Sequence, residues 1–253
     1  MILGRKIINI FIGLSLVLVV WEGLILTGKY ESALLPSPII VLQAISDLVV
    51  SGLLFTHIKV SLIRFFYGYV SAVILAIGFG LILGWFEKIG DLVDPIFQVL
   101  RPISPIAWFP FIVLLLGIGD IPAIVIIAIA AFFPVLLTTI SAVKKIDKTY
   151  LKVAKNFGIK QPYILTKIVF PAVFPSIVNG LHIAIGTAWV FLVAGEMVGA
   201  QSGLGYLIID ARNALRVDLL LAGIISIGLL GLLLDKLILV FEKRVGKMWG
   251  VGS

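Results

Sequence analysis

The chain has no cysteine and only two histidines in 253 residues. The lack of cysteine excludes disulfides, thiolate nucleophiles, iron–sulfur clusters and cysteine-ligated zinc. His57 and His182 lie far apart in the sequence, and neither belongs to an HExxH motif or to a cluster of histidines and carboxylates. We therefore expect neither a metal site nor a bound cofactor in this chain.

Charged residues are also scarce, at 13% of the chain, whereas 61% of the residues are apolar and the mean hydropathy is +1.20. A soluble domain has about 25% charged residues and about 45–50% apolar residues, so one globular core of this size cannot bury the excess. A membrane-spanning helix needs about 20 apolar residues. The sequence has six apolar runs near that length, at about 7–27, 60–86, 92–118, 121–143, 171–199 and 218–241. The composition predicts an all-α membrane protein with six transmembrane helices and no soluble catalytic domain.

The positive charges are unevenly distributed between the apolar runs. With a cytoplasmic N-terminus, 13 of the 20 lysines and arginines fall in segments on the inside, and seven of them are lysines between 144 and 167. Lysine and arginine concentrate on the cytoplasmic side of membrane proteins, so both termini are predicted to be cytoplasmic. The net charge of +7 thus indicates orientation rather than nucleic-acid binding.

This topology predicts a single transmembrane domain over 1–253. Residues 1–55 would contain the first span and an amphipathic helix over 36–50 at the outer face. Residues 56–241 would form the main bundle, which includes a cytoplasmic loop over 144–170. A second outer helix is predicted at about 206–215, after Gly203 and Gly205.

The cytoplasmic loop has the pattern of a helix, a glycine and a second short helix. Apolar residues recur at helical spacing over 146–157 and would share one face. Gly158 follows, at a position where a helix commonly ends in left-handed backbone. Pro162 could occupy the first turn of a second helix that ends near 169, and Pro171 would begin the next span. Such an element has apolar surface to bury, and a partner protein could cover it.

Within this loop, the stretch Lys152-Val153-Ala154-Lys155-Asn156-Phe157-Gly158 is followed after nine residues by Ile168-Val169-Phe170-Pro171. It resembles the EAA loop of ABC-importer permeases, in which Glu-Ala-Ala, three residues, glycine and nine residues precede Ile-x-Leu-Pro. Lys152, Val153 and Phe170 depart from that pattern. The resemblance implies that the loop docks the ATPase through a set of coupling residues, namely Tyr150, Lys152, Val153, Ala154, Lys155, Phe157, Gly158, Ile168 and Pro171.

Further short motifs, in this order and spacing, are similar to the nitrate, sulfonate, taurine and bicarbonate branch of these permeases. They include Leu35-Pro36-Ser37-Pro38, His57 with Ser61-Leu62-x-Arg64, Asp94-Pro95, Leu100-Arg101-Pro102-Ile103-x-Pro105, Gly195-Glu196-Met197 and Gly203-Leu204-Gly205. The resemblance implies a five-helix type I importer core behind one N-terminal span, in a bacterial or archaeal inner membrane. It also implies a homodimer of permeases, two cytoplasmic ABC ATPases that bind ATP and magnesium, and an extracytoplasmic substrate-binding protein.

Three prolines interrupt the third apolar run, at 102, 105 and 110. Proline breaks a helix, and unwound backbone at membrane depth is tolerated where protein buries it or water reaches it. This segment is either a loop outside the bilayer or part of an inner gate. Under the second interpretation the candidates for the translocation path are Arg101, Pro102, Ser104, Pro105 and Trp108, together with Trp189 and Glu196.

Several residues have both a packing and a functional interpretation. Glu196 could pair with Arg212 or Arg216, or line an outer vestibule. Arg64 and Arg101 could each pair with a nearby acid, snorkel to the interface or attract an anion. Small residues recur every fourth position in two predicted spans, as Ala76, Gly80 and Gly84 and as Ser176, Gly180, Ala184 and Ala188. Such stripes pack helices within one subunit or form a dimer interface.

The sequence favours a transport subunit over two other classes of protein. It has no GxxxxGK[ST] phosphate loop, so a separate polypeptide would hydrolyse ATP. A membrane enzyme would need paired aspartates, a Ser/His pair or metal ligands, and a stand-alone secondary carrier is usually larger, often with inverted repeats. The resemblance favours a small anion such as a sulfonate, taurine, nitrate or bicarbonate as substrate. A pyrimidine vitamin precursor, riboflavin or an aromatic acid is the alternative.

Overall fold

The computed structural model describes residues 2–28, 31, 34–147, 149, 153–154 and 156–248, and the regular elements within them are helices. The main helices are α1 (Ile2–Leu26), α2 (Pro38–Val50), α3 (Leu53–Trp85), α4 (Glu87–Leu100), α5 (Phe109–Leu116), α6 (Asp120–Lys144), α7 (Phe170–Gly199), α8 (Leu204–Asn213) and α9 (Val217–Met248). A 3₁₀ turn, Pro105–Trp108, precedes α5, and a helical turn, Gln161–Ile164, with a π turn, Leu165–Val169, precedes α7.

Four helices are long and apolar enough to cross a membrane: α3, α6, α7 with its preceding π turn, and α9. The predicted third span is bent, because α4 and Pro105–Leu116 meet at 84°. With this pair counted as one span, the total is up to five in the described residues. The first predicted span forms helix α1, whose role as a sixth span stays a prediction.

The bend occurs where the prolines predicted an interruption. Helix α4 ends at Leu100, and Pro105 begins the 3₁₀ turn that leads into α5. Proline lacks the N–H that would continue the helical ladder, and the residue before it avoids helical backbone. Ser104 accordingly has extended backbone, with ψ of 133°.

The centre of the bundle is the packing of α6 between α3 and α7. Small residues allow the close approach: a Cβ atom on Gly80 would lie 2.6 Å from the Thr139 side chain, and one on Gly180 would lie 2.1 Å from Thr138 Oγ1. Ala76, Ala184 and Ala188 are fully buried in the same interfaces. Of the two interpretations of these stripes, packing within one chain is therefore the one that the structure contains.

Helix α2 lies at the edge of the bundle and packs against α9. It begins at the proline that follows Ser37, whose hydroxyl accepts a hydrogen bond from the Ile40 backbone N–H at 3.4 Å. The apolar residues at helical spacing in this segment are Leu35, Ile39, Leu42, Ile45 and Val49. Ile39, Leu42 and Val49 are exposed, whereas Ile45 packs against the core. The fully buried residues of α2 are instead Val41, Ala44 and Leu48. In a chain this apolar, hydrophobicity alone does not identify the buried face, since lipid also accommodates apolar side chains.

Candidate functional site

One end of the bundle contains a cluster of polar residues, three of them buried, which we call the Arg64 cluster: Ser61, Arg64, Asp120, Glu196 and Ser202. Three helices and a turn contribute to it, because Ser61 and Arg64 belong to α3, Asp120 begins α6, Glu196 lies near the end of α7 and Ser202 follows α7. Ser61 and Glu196 have an exposed fraction of 0% and Arg64 of 2%. Charged groups are costly at such depth unless they are paired and hydrogen-bonded.

Arg64 satisfies that requirement through its whole guanidinium group. Nη1 donates to Glu196 Oε1 at 2.8 Å and to the Ser202 carbonyl oxygen at 2.6 Å. Nε donates to Asp120 Oδ1 at 2.9 Å, and Nη2 contacts the same oxygen and also Ser202 Oγ at 3.0 Å. One buried arginine thus joins α3 to α6, to α7 and to the turn after α7.

The Glu196 carboxylate has further donors. Ser61 Oγ lies 2.8 and 2.9 Å from its two oxygens, and the Gly205 backbone N–H donates to Oε2 at 2.9 Å. Gly203 has φ of +106°, and a Cβ atom there would lie 2.3 Å from Glu196 Oε1. Only glycine fits this position, because a side chain would both strain the backbone and displace the carboxylate.

The turn from 202 to 205 is also held by α3. The Leu204 backbone N–H donates to Ser61 Oγ at 2.8 Å, and the Gly203 backbone N–H donates to His57 Nδ1 at 3.1 Å. His57, Ser61 and Arg64 follow one another at helical spacing on α3. The same face of α3 therefore positions α8, which begins at Leu204.

This geometry corrects two expectations. Glu196 does not pair with Arg212 or Arg216, since Arg216 pairs with Asp218 at 2.7 Å and Arg212 contacts Asn213. Arg64 has no free charge for an anion, because two carboxylates surround it. The place of Glu196 on a translocation path stays a prediction, which its complete burial within one chain does not favour.

At the opposite end, the loop between α6 and α7 packs on an apolar group, which we call the loop cluster: Val143, Ala154, Ile164, Val169, Val173 and Ile177. Asp147 lies near the start of this loop, and its Oδ1 accepts a hydrogen bond from the Thr149 backbone N–H at 2.8 Å. This hydrogen bond lowers the pKa of Asp147 below its ordinary value. Residues 148, 150–152 and 155 of the predicted loop helix over 146–157 lie outside the described residues, so its start stays a prediction.

The end of the loop helix agrees with the sequence. Gly158 has φ of +72°, and the Ile159 backbone N–H donates to the Ala154 carbonyl at 3.1 Å. This left-handed ending is the one that glycine favours. The coupling residues Tyr150, Lys152 and Lys155 lie outside the described residues.

The described coupling residues divide into an inner and an outer set. Ala154 is 2% exposed and packs in the loop cluster, and Ile168 packs against the same cluster. By contrast, Val153 is 50% exposed and Phe157 is 80% exposed. The loop therefore attaches to the bundle through a small residue and presents two larger apolar side chains outward.

The second short helix and the next span are one continuous helix rather than two. The helical turn Gln161–Ile164 runs through the π turn Leu165–Val169 into α7, where Pro171 lies in the first turn. The Phe170 backbone N–H donates to the Leu165 carbonyl, five residues back. A wider turn gives room to a proline ring that would clash with the preceding turn of an α-helix.

The candidates for the translocation path do not converge on one surface of this chain. Trp108 lines an apolar cavity of about 540 Å³ with residues of α3 and α6, among them Leu75, Phe79 and Phe132. Arg101, Pro102 and Ser104 are exposed, and Pro105 is half-buried. Trp189 is 8% exposed, and its Nε1 donates to the Ile227 carbonyl of α9 at 3.3 Å. Trp189 thus belongs to the packing of α7 on α9.

A comparison with known families decides the class of protein. Residues 76–247 match the family model described as the binding-protein-dependent transport system inner membrane component. This chain belongs to that family. It is a transmembrane permease, the transport component of an ABC importer system, and a multi-pass membrane protein.

The permease also resembles curated relatives over nearly its whole length. It is 32% identical over 253 residues to a nitrate import permease protein of Synechocystis, a match that covers 96% of this chain and 91% of the relative. It is 29% identical over 237 residues to the taurine transport system permease protein of Escherichia coli, over 92% of this chain and 86% of the relative. These matches include Arg64 and the first part of α3, which precede the residues of the family model.

Among solved structures, the permease is similar to a chain of the methionine ABC transporter MetNI in an inward-facing conformation. The TM-score is 0.58 at 18% identity, over 81% of this chain and 97% of that chain. This similarity supports the fold of the permease.

Sequence reasoning identified Arg64 and Glu196 but missed Asp120, Ser61 and Ser202 as their partners. One signal was available: polar residues at 57, 61 and 64 recur on a single face of an otherwise apolar helix. Such a face in a membrane span predicts a polar partner on a neighbouring helix. The identity of that partner depends on tertiary packing.

Proposed function

We propose that this permease imports a small anion, such as a sulfonate, taurine, nitrate or bicarbonate, that a substrate-binding protein delivers at the outer face. The supporting observation is its similarity to a nitrate permease and a taurine permease over more than nine-tenths of its length. In this proposal the substrate-binding protein selects the solute, so neither Arg64 nor Arg101 is needed for selectivity. A pyrimidine vitamin precursor, riboflavin or an aromatic acid is the competing substrate class.

The arrangement in the membrane follows from the distribution of lysine and arginine. We propose an inner-membrane protein with six spans, α1 preceding a five-helix core, and with both termini cytoplasmic. The loop cluster would then lie at the cytoplasmic end and the Arg64 cluster at the outer end. The domain division is 1–55 for the first span and α2, and 56–241 for the transport core.

The ATPase would dock on the loop between α6 and α7. The exposed Phe157 and Val153 supply an apolar surface of the kind that interfaces bury, and the sequence of the loop contains seven lysines between 144 and 167. The loop is anchored to the bundle through Ala154, so movement of an attached ATPase would be transmitted to α6 and α7. We propose two ATPase subunits, bound to a homodimer of this permease, as the site of ATP and magnesium binding.

The inner gate would lie at the bend between α4 and α5. Arg101, Pro102, Ser104, Pro105 and Trp108 occupy this break in the helix, and Trp108 borders the apolar cavity. Because the chain has no cysteine, cysteines placed at 104 and 108 can be cross-linked selectively. A cross-linking pattern that ATP leaves unchanged would contradict the gate.

Reconstitution tests the whole proposal. The permease, its ATPase and its binding protein in liposomes should accumulate labelled taurine or nitrate only when ATP is enclosed with the ATPase. Phe157→Ala should weaken ATPase binding by at least about thirty-fold if this aromatic side chain is an interface anchor. The matched control is Phe55→Ala, which removes a side chain that is 61% exposed on α3, at the opposite end of the chain's bundle. Uptake without the ATPase would indicate a stand-alone carrier instead.

A further inference from the structure

The two carboxylates that hold Arg64 differ strongly in burial. Glu196 is 0% exposed, whereas Asp120 is 66% exposed, although both accept hydrogen bonds from the same buried guanidinium group. Water can therefore replace Arg64 around Asp120 but not around Glu196. Exposed ion pairs are weak and exchange readily with solvent, while buried pairs are costly to break.

The two carboxylates also differ in their other partners. Glu196 is held by Ser61 and by the Gly205 backbone N–H as well as by Arg64. In the described residues, Asp120 is held at this position by Arg64 alone, through Oδ1. If Asp120 moved away from Arg64, only its hydrogen bonds to that side chain would break. If Glu196 moved away, the hydrogen bond from the Gly205 backbone N–H would also break, and the turn that begins α8 would be disrupted.

Release of Asp120 would leave no unpaired charge inside the bundle. Arg64 and Glu196 form a neutral pair by themselves, and Ser202 still accepts from Nη1 and Nη2. The loss of Glu196 from the cluster would be different, since a carboxylate without its cation would then be buried. Only the Asp120 contact can open without this penalty.

The position of Asp120 defines what would move. It begins α6 immediately after the turn at 117–119, which connects α6 to the bent pair α4 and α5. One turn further along α6, the helix lies against Gly68, where a Cβ atom would be 2.7 Å from the Ile124 carbonyl oxygen. From Ile124 onward α6 is thus fixed against α3, and movement is confined to the start of α6 and the bent pair before it.

We propose that Arg64 fastens this end of the permease in two parts: the Arg64–Glu196 pair is permanent, and the Arg64–Asp120 pair opens during transport to free the bent pair α4–α5. The proposal rests on the proposed function, because the transport cycle supplies the movement. Arg64 acts here as a positioning residue and does not contact the solute.

Spin labels can measure this movement in the full transporter. Cysteines replace Lys59 on α3 and Ile118 in the turn before α6, two exposed positions in a chain without native cysteine. In the transporter assembled with its ATPase, a non-hydrolysable ATP analogue should increase the population with the longer distance between labels. Asp120→Asn should raise that population about two- to five-fold without nucleotide, since one weak ion pair is lost.

Two further variants distinguish the opening of the Arg64–Asp120 pair from a general loss of structure. Asp120→Glu keeps the carboxylate and should restore the wild-type distances. Asp47→Asn removes an exposed carboxylate on α2, which belongs neither to α6 nor to the bent pair, and should leave the distances unchanged. Equal distance distributions for Asp120→Asn and wild type, or equal effects of Asp47→Asn and Asp120→Asn, would overturn the proposal.

The same samples distinguish failure of this proposal from failure of the proposed function. The distances in the permease alone test whether Asp120 holds the turn, with or without an ATPase. ATP-dependent uptake in liposomes tests the importer role. Normal uptake with unchanged distances in Asp120→Asn contradicts only the two-part fastening, while absence of ATP-dependent uptake in the wild type contradicts the proposed function.

Discussion

At one end of the bundle, Arg64 joins α3 to α6 and α7 through charged hydrogen bonds, whereas at the other end Ala154 and Val169 join the loop to the bundle through apolar contacts. Hydrogen bonds between buried charges require defined distances and directions. Apolar contacts depend mainly on shape and area and tolerate small displacements. The buried Arg64–Glu196 contact therefore suits a fixed arrangement of α3 and α7, and the apolar contacts suit a loop that must transmit movement.

The difference also appears in what each end exposes. The Arg64 cluster encloses its charges almost completely, with only Asp120 open to solvent. The loop cluster buries Ala154 but leaves Phe157 80% exposed. Because most of the Phe157 side chain is exposed, it packs little against the described residues, and we propose that the ATPase covers it.

Loss of the arginine should break the polar end most severely. Arg64→Met leaves Glu196 buried without its cation, which costs about 3–5 kcal/mol of unfolding free energy. Denaturant titration of the purified permease measures this loss. The double variant Arg64→Met/Glu196→Met should be more stable than the single variant, since it removes the unpaired charge. A double variant less stable than the single one would contradict this account.

Replacing glycine by alanine should also destabilise the two ends to different extents, though by less than Arg64→Met does. A Cβ atom at Gly205 would lie 2.5 Å from the Val193 carbonyl oxygen, whereas at Gly84 it would lie 2.7 Å from the Val143 side chain. Backbone yields less than side chains, so we expect Gly205→Ala to cost about 2–3 kcal/mol and Gly84→Ala about 1–2 kcal/mol.

Gly78→Ala is the control for both, because no atom lies within 4 Å of a Cβ there. It should stabilise α3 by up to about 1 kcal/mol through helix propensity. Thermal unfolding of the three variants in one detergent gives the ranking. Equal losses of stability for Gly205→Ala and Gly84→Ala would contradict this account, because contact with backbone would then cost no more than contact with a side chain.

At the apolar end, a substitution in the loop should reduce transport more than it reduces the stability of the permease. Gly158→Pro is incompatible with φ of +72°, because proline fixes φ near −65°. We expect uptake to fall at least about ten-fold while ATP hydrolysis continues, since the change is confined to the loop ending at 158. Gly28→Pro, at φ of +65° far from the loop, should transport normally. Wild-type uptake by Gly158→Pro would falsify the coupling role.

The smallest effect should come from an exposed ion pair at the apolar end. Lys144 Nζ lies 3.8 Å from Asp91 Oδ1, and the two side chains are 43% and 76% exposed. Asp91→Asn should change the unfolding free energy by less than about 0.5 kcal/mol, because solvent screens such pairs. An effect as large as that of Arg64→Met would show that burial does not explain the difference between the ends.

Local features were predictable because they depend on nearby residues. The prolines at 102 and 105 predicted the break before α5, and Gly158 predicted the end of the loop helix. The buried face of α2 was not predictable, because Ile39 and Leu42 are as apolar as Val41 and Leu48. In a membrane protein, an apolar side chain can face either a helix or lipid at little difference in free energy.

The sequence by itself determined that this chain is a helical membrane protein, the approximate places of the spans α3, α6, α7 and α9, and its resemblance to an importer permease. Apolar runs and the spacing of Ala154, Gly158, Ile168 and Pro171 carried that information along the chain. Only the tertiary structure decided which carboxylates hold Arg64. Asp120 and Glu196 lie 56 and 132 positions from it, and such a pairing depends on how three helices pack, which no local pattern specifies.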